Sequence, residues 1–111
     1  MADAKLLREL TIKSNVVKRL IKEVQSYEKE VEKDRERVKK MEAADPDDYN
    51  IKKAKEQLQE TLQMIPLVSQ KLHSAVKDLQ DFLAKNAEVL EGTGELQQAQ
   101  EHIAASEAIK L

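Results

Sequence analysis

Cysteine is absent from this chain, which excludes a disulfide framework and any thiolate metal site. That absence fits a reducing compartment. Tryptophan is also missing, and aromatics make up 3% of the residues, so a sheet built on large aromatic pairs is not expected. Two glycines and two prolines leave little turn chemistry for 111 residues. Few breaks, with many Ala, Leu, Glu, Lys and Gln, favour long helices. No apolar run approaches the roughly 18 residues of a bilayer span, so no membrane partner is expected. Residues 1–11 alternate charge with leucine and lack the apolar block of a signal peptide. The expected setting is the cytoplasm.

What is present is helical periodicity. Leu6, Leu10, Lys13, Val17, Leu20, Val24, Tyr27, Val31, Asp34, Val38 and Met41 follow alternating steps of three and four. Val16 and Ile21 widen that stripe, as a bundle of more than two helices requires. Asp3 or Ser14 would cap the start. Residues 28–42 are dense in balanced charge, with Glu30–Lys33, Glu32–Arg35, Asp34–Arg37 and Glu36–Lys39 at pairing distance along a helix. Asp34 on the seam predicts loose packing at the far end of this helix.

A second seam runs through Ile51, Ala54, Leu58, Thr61, Ile65, Val68, Leu72, Ala75, Leu79 and Phe82. Asp45-Pro46-Asp47-Asp48 reads as its start: Asp45 caps, Pro46 takes the first helical position, and the acids complement the positive dipole end. Gly92-Thr93-Gly94 is the second break, with Thr93 as cap of a third helix. The face of that third helix is thin: Leu96, Ala99, Ile103, Ala104 and Ile109. The expected fold is all-α. It is an antiparallel three-helix bundle in one domain over residues 1–111, with helices at about 6–42, 46–88 and 94–108.

Pro66 interrupts the second seam. A proline there cannot donate to the Leu62 carbonyl and clashes with it, at about 3 kcal/mol. Two readings stand: a tolerated kink in a long helix, or a bend that shapes a surface for a partner. Leu62, Met64 and Leu67 flank it off the strict seam, either as a wide core stripe or as an exposed apolar patch.

Charge is uneven. Residues 1–29 carry seven Lys or Arg against four acids, and residues 78–111 carry two Lys against seven acids. Lys18, Arg19 and Lys22 are either part of an ordinary solvated face or a basic face aimed at an acidic partner. Nucleic acid is not expected, because the basic stretch is short, mixed with acids and without aromatics to stack bases. His73 and His102 have no carboxylate partner at ligand spacing, so no metal is expected. There is no glycine loop for a phosphate and no nucleophile motif around any serine. Neither an enzyme nor a cofactor is expected.

The segment from Ile12 to Glu23, Ile-Lys-Ser-Asn-Val-Val-Lys-Arg-Leu-Ile-Lys-Glu, precedes Tyr27-Glu28-Lys29-Glu30. Further on come Asp48-Tyr49-Asn50-Ile51-Lys52-Lys53, Leu58-Gln59-Glu60, Met64-Ile65-Pro66, Leu72, Ala75 and Asp78-Leu79. In order and spacing this resembles the tubulin-binding cofactor A family over about residues 11–83. The resemblance implies a cytosolic three-helix bundle, associated with the cytoskeleton, that captures β-tubulin during folding and dimer assembly without nucleotide chemistry. It also implies other tubulin-folding cofactors as partners, and a monomer or homodimer. The family usually has an arginine four residues before the proline and an aspartate after it; here Leu62 and Leu67 stand instead. The partner-binding candidates are thus Lys18, Arg19, Lys22, Leu62, Met64, Pro66 and Leu67. The alternatives are a spectrin-like repeat, without the tryptophan such repeats usually carry, and a self-associating coiled coil.

Overall fold

The structure, a computed structural model, describes residues 2–109. Met1, Lys110 and Leu111, the ends of the expected domain, lie outside the described residues. Four helices follow in order: α1 Ala4–Ala44, α2 Asn50–Lys85, α3 Ala87–Leu90 and α4 Gly94–Glu107. The fold is all-α, with two long antiparallel helices, α1 and α2, the single turn α3 and a shorter helix α4. Among the described residues no helix is long and apolar enough to cross a membrane.

α1 begins earlier than expected because Asp3 caps it. Its Oδ1 accepts from Leu6 N at 2.7 Å, and its carbonyl from Leu7 N at 3.1 Å. Ser14 is not a cap; it lies mid-helix and buried. Pro46 is not the first residue of α2. Asp45 Oδ1 accepts from Asp47 N at 3.1 Å, and the Asp45 carbonyl from Asp48 N at 3.1 Å. Asp45–Asp48 is therefore a turn with proline at its second position, where a fixed φ is equally welcome. Asp48 then opens α2, its Oδ1 accepting from Asn50 N at 2.9 Å. The proline signal was shared between a helix start and a turn, and the Asp side chains decided for the turn.

The second helix also ends sooner than residue 88. α2 closes at Lys85, and both Asn86 N and Asn86 Nδ2 donate to the Phe82 carbonyl, at 3.2 and 2.9 Å. One further turn, α3, brings in Leu90, which is fully buried and was not in the expected core. Gly92 takes φ 82°, a conformation open to glycine. Thr93 then caps α4: Oγ1 accepts from Leu96 N at 3.2 Å and donates to the Leu90 carbonyl at 2.7 Å.

Two compact units divide the chain: the described residues within Met1–Lys22 and Ser69–Leu111, and Glu23–Val68. The first buries Leu10, Val17, Leu20, Ile21, Leu72, Leu79, Leu90 and Ala99. Ala99 is the one buried residue of α4; Leu96, Ile103 and Ile109 are half-buried and Ala104 is exposed, against expectation. An alanine face leaves little area to remove from water. The second unit buries Val24, Val31, Val38, Ile51, Ala54, Thr61 and Val68. Its helices run antiparallel, with Glu42 meeting Lys55 at 4.0 Å and Asp34 meeting Thr61 at 3.3 Å. Asp34 does not loosen this end: Thr61 Oγ1 donates to its carboxylate, and Val31 and Val38 stay buried on either side.

Candidate functional site

Lys18, Arg19 and Lys22 all lie exposed on α1. The helix dictates this. Val17, Leu20, Ile21 and Val24 are buried, and the residues between them fall on the opposite side of a 3.6-residue turn. None of the three cations enters an ion pair among the described residues. All three belong to the first unit.

Leu62, Met64, Pro66 and Leu67 belong to the second unit, and α2 continues through Pro66 without a break. Pro66 is exposed, so the Leu62 carbonyl that it leaves without a donor sits in a helix with solvent on the proline side. The four residues do not form one patch. Leu62 is half-buried and, with Ile65, lines a groove whose other wall is Val31, Gln25, Glu28, Lys29, Glu32 and Arg35 of α1. Met64 and Leu67 are 39% and 55% exposed. They line a different groove with Tyr27 and Glu30 of α1 and Gln57, Glu60, Thr61 and Gln63 of α2. The wide-stripe reading holds for Leu62 and the exposed-patch reading for Met64 and Leu67.

A third groove was not anticipated. It surrounds the Asp45–Asp48 turn, lined by Pro46, Tyr49, Ile51, Lys52 and Lys55 among others, and Tyr49 in it is 81% exposed. The sequence signal was present, an aromatic directly after a turn, but it was absorbed into the helix start.

The charged run of residues 28–42 is a solvated face, and none of the four pairs that its spacing allows forms. Its side chains stay solvated, as the small free energy of exposed ion pairs allows. Ion pairing among the described residues is confined to Lys55–Glu42 at 4.0 Å and Lys13–Asp78 at 2.8 Å. The hydrogen bond from Lys13 to Asp78, reinforced by attraction to Asp78 and Glu9 and opposed by partial burial, raises the Lys13 pKa above its ordinary value. His73 is exposed and His102 half-buried. Among the described residues no group of three potential ligands could hold a metal ion. The chemistry on offer is therefore that of surfaces: apolar grooves between helices, and a basic helix face.

Comparison with known proteins gives these surfaces a context. The sequence matches the family described as Tubulin binding cofactor A over residues 5–103. It is 43% identical to the tubulin-specific chaperone A of Gallus gallus, covering 100% of this chain and 98% of that one. It is 42% identical to the tubulin-specific chaperone A of Homo sapiens, covering 92% of this chain and 87% of that one. The fold superimposes on the crystal structure of tubulin folding cofactor A from Arabidopsis thaliana with a TM-score of 0.89. Sequence identity there is 34%, over 96% of this chain and 100% of the other. Sequence and fold agree over almost the whole length, and the chain belongs to the tubulin binding cofactor A family.

Proposed function

We propose that this protein captures β-tubulin as a folding intermediate and holds it until the αβ dimer is assembled. The observation that carries this reading is the family match over residues 5–103, supported by relatives described as tubulin-specific chaperones. It is a chaperone and not an enzyme. Binding alone supplies the work: a client surface that its α partner would later cover is kept from aggregating, then released.

Two features of the chain suit that task. Met64 and Leu67 present apolar side chains on a helix already fixed in shape, so little ordering cost falls on binding. Methionine adapts to varied client surfaces. Lys18, Arg19 and Lys22 give α1 a cationic face that draws in an acidic client. The protein acts in the cytoplasm in association with the cytoskeleton, hands its client to other tubulin-folding cofactors, and works as a monomer or homodimer. Native gels of the purified protein mixed with released β-tubulin, and separately with intact αβ dimer, test the reading. A shifted band with β-tubulin alone is expected. Equal binding to both, or to neither, defeats it.

A further inference from the structure

The groove between Tyr27 of α1 and Met64 and Leu67 of α2 has a one-sided charge. Its lining holds two acids, Glu30 and Glu60, and no Lys or Arg. Neither acid is in an ion pair among the described residues. The groove on the Leu62 side differs: its acids are balanced by Lys29 and Arg35. The first groove thus combines an exposed apolar floor with an uncompensated negative rim. Apolar surface of this kind is an association site when a partner covers it, and an uncompensated rim selects the sign of that partner.

We propose that the Tyr27–Met64–Leu67 groove docks a short segment of the client whose apolar side chains are flanked by Lys or Arg. This rests on the β-tubulin reading above and names the part of the client that is held. The apolar side chains lie against Met64 and Leu67, and the flanking cations reach Glu30 and Glu60. The groove therefore discriminates between client segments by charge, a task that the basic face of α1 cannot perform for cationic segments.

The test has two arms, both with the full chain and purified β-tubulin. In the first, affinity is measured for the parent, for Leu67→Asp and for Glu30→Lys combined with Glu60→Lys. Glu36→Lys combined with Glu101→Lys, outside every groove described above, is the control. All these positions are exposed, and thermal melting checks that each variant is folded. The groove variants are expected to lose at least tenfold in affinity and the control less than twofold. In the second arm, a photoreactive benzoylphenylalanine in place of Leu67 is cross-linked to bound β-tubulin and the adduct is mapped. An adduct on an apolar segment with flanking Lys or Arg supports the proposal. An adduct on an acidic segment or on a second copy of this chain overturns it, as does full affinity in the groove variants. If the parent itself fails to bind β-tubulin, the client reading falls and this proposal falls with it, whereas parent binding with unaffected groove variants sinks the groove alone.

Discussion

Lys13 Nζ donates a 2.8 Å hydrogen bond to Asp78 Oδ2, tying α1 to a residue of α2 65 positions further along the chain. The same ammonium lies 5.6 Å from the centre of the Phe82 ring. Lys13 was one of two polar residues in the apolar stripe of α1, and this is how the fold accommodates it. The other, Asp34, is met by Thr61 in the same manner. Both polar residues of that stripe thus have a partner in the other long helix.

The raised pKa of Lys13 sets a direction for pH dependence. The folded state holds this proton more tightly than the unfolded chain does. Its contribution is fully present below the ordinary lysine range and is lost as pH rises through the folded value. The pair is partly exposed, so the contribution is below about 1 kcal/mol. Lys13→Met should melt slightly below the parent at neutral pH, and the gap should close in alkali. Melting curves across that range check it. A gap that persists would assign the loss to packing of the lysine stem against Phe82.

Pro66→Ala restores the missing donor to the Leu62 carbonyl. Stability should rise by up to about 3 kcal/mol, and β-tubulin capture should weaken if the proline shapes the surface beside Met64 and Leu67. Urea unfolding and a binding titration on the same preparation read both effects. A more stable variant that binds as well as the parent would remove the proline from the capture surface. A less stable one would mean that the core is packed around the proline.

Charge reversal at Lys18 and Lys22 tests the basic face of α1. Both side chains are exposed, so their effect is on encounter rather than on packing. Association with β-tubulin should slow several-fold at low ionic strength and little at high salt. Stopped-flow rates over a salt series decide it, and a loss that salt does not change would point to a buried contact.

Thr93→Ala removes the hydroxyl that joins α3 to α4, both the acceptor for Leu96 N and the donor to the Leu90 carbonyl. The expected cost is about 1 kcal/mol. It should appear as faster amide exchange in the first turn of α4, with exchange at Val17 and Leu79 nearly unchanged. Uniform acceleration everywhere would show that α4 opens only with the rest.

The sequence made the two long seams legible residue by residue. Each position named in them, from Leu6 to Met41 and from Ile51 to Phe82, is buried or half-buried. A seven-residue repeat reports which side of a helix faces a neighbour, so it survives errors at the ends. The ends were less legible, because Pro46 satisfies a turn and a helix start alike, and the apolar period carries no mark of the end of α2 at Lys85. Leu90 was missed because a helix of one turn has no period. How the candidate residues group on the surface was not legible. Periodicity placed Leu62, Met64 and Leu67 near Pro66, yet which side of α2 each one served depended on where Tyr27 and Val31 of α1 came to rest.

Leu90 is fully buried, four residues ahead of a helix whose own buried residue is a single alanine. The chain is therefore pinned just before its least adhesive segment. Between pin and segment lies Gly92, the one described residue with positive φ. An element held this way should open as a tethered flap, lifting from the bundle while Leu90 stays buried. Its opening should be opposed by Ala99, Leu96, Ile103 and the Thr93 cap, and should cost less than opening of the long helices. Limited proteolysis should clip the chain near Gly92 and Gly94 first, leaving a fragment that still carries Leu90 and both long seams.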